Sequence, residues 1–525
     1  MNRITIMPIR SIYHALFVVL VFSCTPLIGQ ENDLPAAIRA GLNSDNVDRQ
    51  KAMLALIPEV KLRFEDRRLV WTILDQYLSQ QKITDECRMR ALMTYSKTQP
   101  PALPAAAIFK NNMNSPKIEI RRATADALAS YINLTNPNWP KALRDNIRTS
   151  PTPEALGAIT GMPYSVWAVR LWLENQKNEN VAYAQYIESV RLLSLLCGQA
   201  MREADEPTRV FGTVGIRELS NNLNVLLEPL PTGSELKTFD PFEGTFKTVL
   251  FFKPLCDITQ QTTHLIPIMQ STDERSRLAA ADAAEAYLKM RDKALAGLKG
   301  ASDTLNVLDP QYKYNPVLQD CLAEILPPLA VLLKDKALVV RLKAAEAFEN
   351  VGYDGHTQLP ALLATANDPS TFVRWVATRC LGKMLLDANP KEASQIVPIL
   401  SNHVGDRELD IANAAMMALA KGGNKSMAAT DQILLRAGHG DPDIRIVAIT
   451  TLEAIEADPS RTTGKLVAAL NSDSPRVRKA AVIYCGKAGS ASRPILPSIR
   501  HLLDDEDGDV RAATAKAILA IEKEL

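Results

Sequence analysis

Apolar residues in the last third of the chain fall at helical spacing and restart at near-constant intervals. In one such run Val373, Val376, Ala377, Cys380, Leu381 and Met384 follow one another at alternating steps of three and one, which predicts a helix with a single buried face. Several of these residues are small, so a neighbouring helix can approach closely. Each run opens with the same phrase: a turn containing Asp or Pro, an aliphatic residue, Arg, then alanines. Copies stand at Val340-Arg341-Leu342-Lys343-Ala344-Ala345, Val373-Arg374-Trp375-Val376-Ala377, Ile444-Arg445-Ile446-Val447-Ala448, Val477-Arg478-Lys479-Ala480-Ala481 and Val510-Arg511-Ala512-Ala513. A weaker copy, Leu409-Asp410-Ile411-Ala412, fills the gap. With the residue after the aliphatic as marker (341, 374, 410, 445, 478, 511), the period stays between 33 and 36.

A second apolar run, such as Ile396-Val397-Pro398-Ile399-Leu400, precedes each turn, so every unit predicts two antiparallel helices. Asp368-Pro369 and Asp441-Pro442 are expected helix starts: the carboxylate accepts from orphan N–H groups, and proline at the first helical position lacks a donor that would have no partner there. One hairpin cannot bury its apolar face alone. The copies must therefore stack, and the expected architecture is all-α, an array of helical hairpins.

The pattern weakens toward the N-terminus. Residues 114–128 repeat the phrase in order, with Arg121 33 positions after Arg88 of a looser copy, Cys87-Arg88-Met89-Arg90-Ala91-Leu92; another loose copy lies at 45–52. A copy around Arg277 precedes Arg341 by 64 residues, about two periods, which predicts one irregular unit between them. Between 150 and 257 the pattern breaks down: helices are expected at 166–173 and 186–193, loops at 228–234 and 239–244, and a small β-hairpin over 245–252, whose residues are β-branched and aromatic. The resulting division is a signal at 1–30, degenerate repeats at 31–150, an irregular helical region with the insertion at 151–257, and the array at 258–525, best defined over 319–525.

The Asp, Val-Arg and alanine pattern of 319–525 resembles the short HEAT-like repeats first described in phycobilisome lyases. Ankyrin and tetratricopeptide repeats share the period, but their Thr-Pro-Leu-His and Trp/Leu-Gly/Tyr phrases are absent. The resemblance implies a right-handed α-solenoid of the ARM/HEAT type, here in an exported bacterial form, that binds other molecules; it implies no particular activity.

Export is read from the first 30 residues. Arg3 and Arg10 give a basic start without acidic residues, and residues 15–22 form an apolar core too short for a confident membrane span. Val21-Phe22-Ser23-Cys24 approximates a lipoprotein box, with Phe22 bulkier than that pattern favours. Cleavage near Gly29 or Gln30, giving a soluble chain in the periplasm or envelope, is preferred over a lipid anchor at Cys24 and over a retained anchor. With 60 basic and 59 acidic side chains the net charge is +1. No basic excess is left to hold a polyanion, so nucleic acid is not an expected partner. Seven cysteines show no C-x-x-C spacing, and Cys380 and Cys485 sit in marked helices as small hydrophobes.

Candidate chemistry is sparse, and no cofactor is expected. The chain has no His-Glu pair, so likeness to the HEAT-repeat iron hydroxylases stops at the scaffold, and it lacks H-E-x-x-H and C-x-x-C-H. Gly464-Lys465 lacks the rest of a P-loop. Ser234-Glu235-Leu236-Lys237 matches S-x-x-K without a partner motif. Asp505-Glu506-Asp507-Gly508 would put Leu503 and Thr514 at the end positions of a calcium loop, and reads instead as an acidic turn with Asp509 near a helix cap. His403 and His439 are read in equivalent turns of adjacent units beside Asp406, Asp441 and Asp443, a weak metal or anion candidate set against simply solvated imidazoles. Trp375 and Arg379 lie one turn apart on a face away from the buried stripe, a candidate anchor for a protein partner. The function that fits best is a non-catalytic scaffold for protein–protein interaction. The alternatives are an accessory enzyme acting near Ser234 and, by family analogy, a lyase.

Overall fold

The apolar stripes become helices that pair into hairpins. The structure, a computed structural model, describes residues 34–60, 62, 64–100, 102–134, 179–226, 255–298 and 314–523; every regular element among them is helical. The expected signal (1–30), the helix at 166–173, the loops and β-hairpin at 228–252 and the Ser234 motif lie outside the described residues.

The chain divides into two compact units, one ending at Leu134 and the other beginning at Thr135. In the first, three hairpins are formed by α1 (Leu34–Leu42) with α2 (Val47–Leu56), α3 (Phe64–Leu78) with α4 (Asp85–Lys97), and α5 (Ala102–Met113) with α6 (Ile118–Leu134). The second helices α2, α4 and α6 pack in file. Tyr95, Phe109 and Tyr131 meet edge to face at 6.3 and 5.7 Å in the core, and the buried Tyr131 hydroxyl donates to the Pro100 carbonyl at 2.8 Å.

The second unit repeats the scheme. Its helices are α7 (Glu179–Met201), α8 (Glu206–Leu226), α9 (255–262), α10 (Leu265–Met269), α11 (Glu274–Leu298), α12 (Tyr314–Leu332), α13 (Leu338–Val351), α14 (Leu359–Thr365), α15 (Thr371–Asp387), α16 (Pro390–Val404), α17 (Leu409–Gly422), α18 (Thr430–Ala437) and α19 (Pro442–Ala454). The short α20 (Pro459–Thr462) and α21 (Val467–Leu470) then precede α22 (Pro475–Lys487), and α23 (Leu496–Arg500) precedes α24 (Gly508–Glu522). The marked helices α8, α11, α13, α15, α17, α19, α22 and α24 each pack on the next. Each hairpin therefore shares its apolar face with its neighbours, as a stacked array requires. The predicted stripe of α15 is buried throughout, from Val373 to Met384. Gly382 lets α17 come so close that an added Cβ would lie 2.5 Å from that of Ala418; Gly486, at the same position of α22, does the same for Ala517 of α24.

Three local rules recur at fixed distances from the starts of the marked helices, each kept by several of them. Three residues before it, the turn residue accepts the N–H two positions on: Asp335 from Ala337, Asp368 from Ser370, Asp406 from Glu408, His439 from Asp441, Ser472 from Ser474 and Asp505 from Asp507, all at 2.8–3.1 Å. Three residues after it stands the arginine. Arg341 donates through Nη1 to the Asp335 and Lys336 carbonyls of its own turn, while Nε and Nη2 grip the carboxylate of Asp368 in the next turn at 2.7 and 3.2 Å. Arg277 grips Asp335 and Arg478 grips Asp505 in the same two-pronged way, and Arg374 reaches Asp406 at 3.4 Å. These rungs join consecutive hairpins. Fourteen residues after the start the chain leaves the helix with positive φ, at Gln99, Gly352, Gly423, Glu456 and Gly489.

These rules correct three expectations. In the weak copy the buried aliphatic is Ile411, so the marker is Ala412 and not Asp410; the steps become 33, 38, 33, 33 and 33, the long one following from the 15-residue α16. Asp368-Pro369 does not start a helix: α15 begins at Thr371 with Ser370 as N-cap, and Asp368 instead bridges its own turn to Arg341. Asp441 does cap α19, with Pro442 at the first position. No unit intervenes between Arg277 and Arg341, because α11 packs directly on α13 and Arg277 pairs with Asp335; the extra length lies in the 25-residue α11 and in 299–313. The acidic turn at 505–508 stands as expected, with Asp507 as the cap of α24 and Asp509 beside it in the first turn.

Candidate functional site

Stacking at constant register turns each position of the marked helix into a row across the array. Eight residues after the helix start the row reads Glu346, Arg379, Met417, Thr450, Ile483 and Lys516. All but the half-buried Glu346 are exposed, Met417 by 58% and Ile483 by 38%. Trp375 stands one turn before Arg379, half-buried, and the Arg379 guanidinium lies 4.5 Å from the centre of its ring. That distance is within cation–π range. Arg379 also forms an ion pair at 2.5 Å with Glu349 of α13, whose side chain is 12% exposed. The indole is thus partly covered by an arginine that is itself tied to the preceding repeat.

The two histidines do not converge. His403 lies three residues before its turn residue, Asp406, whereas His439 is the turn residue of its own repeat, so their positions in the repeat are not equivalent. His403 is buried, 2.7 Å through Nδ1 from the Thr378 hydroxyl of α15, and burial pushes its pKa below the ordinary 6.5. His439 accepts through Nδ1 from the Asp441 N–H. Among the described residues no group of three or more His, Cys, Asp or Glu is arranged to hold a metal ion.

Cys87, Cys197, Cys256, Cys321, Cys380 and Cys485 are all buried free thiols. Burial raises the thiol of Cys380 and pushes that of Cys485 up to about 11, so neither is populated as thiolate near neutral pH. Open space of about 920 Å³ beside the Arg277–Asp335 rung is lined by Met269, Pro327, Val331, Lys334 and Lys336 among others. It pairs apolar walls with two lysines. In the acidic turn, Arg478 holds the Asp505 carboxyl below the usual range, which makes this aspartate a rung of the array rather than a free ligand.

The arginine and the buried stripe are legible in the sequence, but the carboxylates gripped by Arg277, Arg341, Arg374 and Arg478 are not named there. The signal was present: an Asp stands 27 residues after Arg341 and after Arg478. The longer α16 moves it to 32 after Arg374 and hides the regularity.

Residues 428–519 match the HEAT repeats family model. No curated protein matches the sequence. Among solved structures, an engineered protein of the Northeast Structural Genomics Consortium is 15% identical, with 94% of this chain and 99% of that one covered and a TM-score of 0.49. A designed armadillo repeat protein in complex with the peptide (KR)4 is 14% identical over 49% of this chain and 98% of that one, at 0.34. The karyopherin Kap121p bound to the extreme C-terminus of the protein phosphatase Cdc14p is 13% identical over 95% and 59%, at 0.35. With TM-scores below 0.5 these likenesses add nothing to the hairpins described above. Residues 428–519 thus carry HEAT-type repeats, and the hairpins that precede them in the second unit continue the same stacked, all-α register.

Proposed function

We propose that the chain is an exported, non-catalytic scaffold that binds a protein partner along the exposed row of its marked helices. The observation that carries this reading is the in-register line of Arg379, Met417, Thr450, Ile483 and Lys516 with Trp375 beside it. Aromatic, methionine and arginine side chains are enriched at interface cores, and a Trp beneath an Arg is the kind of pair that anchors one. Export rests on Arg3, Arg10 and the apolar residues 15–22.

The test uses the purified chain as bait on the envelope fraction of its host, with Trp375→Ala alongside. An anchor role predicts loss of a stoichiometric partner with little change in melting temperature. A large fall in melting temperature with partner affinity intact in the folded fraction would make Trp375 part of the packing and sink the proposed face. Intact mass of chain taken from the host tests export separately: loss of roughly 20 to 30 residues is expected, diacylglycerol on Cys24 would replace the soluble form by a lipoprotein, and an unprocessed chain in the cytosol would refute export.

A further inference from the structure

Among the described residues two arginines of the marked helices of the second unit, Arg209 and Arg445, meet a serine in the next turn where their sisters meet an aspartate, and of the two it is Arg445 that has a buried donor without a partner. Arg445 stands three residues into α19, where Arg277, Arg341, Arg374 and Arg478 each hold the carboxylate of the next turn. Its next turn offers Ser472 in place of aspartate. The Ser472 hydroxyl accepts the Ser474 N–H at 3.1 Å, which reproduces the aspartate's bond within the turn but supplies no acid for the arginine. The Arg445 backbone N–H donates to the Asp441 carbonyl at 3.2 Å, but its side chain donates no hydrogen bond among the described residues, and its Nε is buried without a partner. A buried donor left unsatisfied is costly and rare, and a guanidinium edge is shaped for two oxygens in one plane.

The turn before α19 is also the barest of the series. Sister arginines reach the carbonyl five residues back, at Lys336, Pro369, Asp473 or Glu506. The residue five before Arg445 is Gly440, and a Cβ added there would meet nothing within 4 Å. The neighbouring Ala412 has no guanidinium, and Arg436 of α18 takes over its turn by donating to the Val404 and Asp406 carbonyls at 2.6 and 2.8 Å. That missing arginine has been compensated within the fold; the missing carboxylate opposite Arg445 has not.

We propose that Arg445, Gly440 and Ser472 form a binding site for an external carboxylate, which takes the place that Asp335, Asp368, Asp406 and Asp505 fill in the sister repeats. The acid is either free or the side chain of an acidic peptide, since both present the same two oxygens. A free acid needs only the guanidinium edge. A peptide also lies over the uncovered Gly440.

Titration calorimetry on the full chain tests this with sodium acetate, the peptide acetyl-Gly-Asp-Gly-amide and its Asn counterpart, at constant ionic strength set by chloride. The Asp peptide is expected to bind and the Asn peptide not; acetate binding as well as the Asp peptide identifies a free acid as the occupant, and weaker acetate binding identifies the peptide. Ser472→Asp should supply the rung from within, raise the melting temperature and weaken the carboxylate probe at least about tenfold, and Arg445→Gln should weaken it similarly. Because Ser472→Asp restores the arrangement of four sister repeats, it stays folded and keeps the test decisive. Equal binding by the wild type and both variants, equal binding of the Asn peptide, or no binding of any carboxylate by the wild type would overturn the proposal.

Discussion

At the scale of single residues, the repeat shows its rules most clearly where one position breaks them. Of the five positive-φ sites among the described residues, four lie in the second unit; three are glycine and the fourth is Glu456 at φ 55°. The left-handed region costs a side-chain-bearing residue about 1–2 kcal/mol, partly offset by the extra freedom glycine has when unfolded. Glu456→Gly should therefore raise stability by about 1 kcal/mol, read as a higher midpoint in urea, while Glu456→Ala should not. His403 carries a pH signature. Its pKa is lowered in the fold by burial, so the unfolded chain takes up a proton first as pH falls below its ordinary 6.5. The sign follows: this contribution is full above 6.5 and is lost as pH falls through the lowered folded value. Melting temperature should fall between pH 7.5 and 5.5, and His403→Gln should flatten part of that slope; His264, also lowered by burial and by Arg202, contributes with the same sign.

At the scale of the helix pair, close approach is set by what stands eight residues after each marked arginine. Gly382 and Gly486 permit contact with the next helix, whereas Glu349 and Glu453 at the same position pair with Arg379 and Lys487. Gly382→Ala would force its Cβ against Ala418, and overpacking of this kind costs about 1–3 kcal/mol; a chemical denaturation midpoint unchanged from wild type would show that α15 and α17 can slide apart freely. Much of this level was legible in the sequence. The stripe, the arginine and the alanines are repeated because every marked helix meets the same surroundings, so Val373 to Met384 could be assigned to the core from spacing alone. The register of 409–412 was not legible, since Leu409 and Ile411 both satisfy an aliphatic rule and only burial separates them. The aspartate partners were hidden by the variable length of the first helix, and the surface row was hidden because packing does not constrain it.

At the scale of the whole molecule, stability in the second unit passes from repeat to repeat through neighbouring helices and through rungs such as Arg341–Asp368, whose side chains are 15% and 7% exposed. Removing one partner of such a buried pair leaves the other uncompensated, at about 3–5 kcal/mol. In a single cooperative core that loss would be felt everywhere, but in a linear array it is felt by the nearest repeats and fades with distance. Amide hydrogen exchange read by mass spectrometry on the full chain, wild type against Asp368→Ala, is the most direct measurement of this difference. The array predicts faster exchange in α13, α15 and their immediate neighbours with α24 unchanged, whereas an equal acceleration of α24 with α13 and α15 would contradict it.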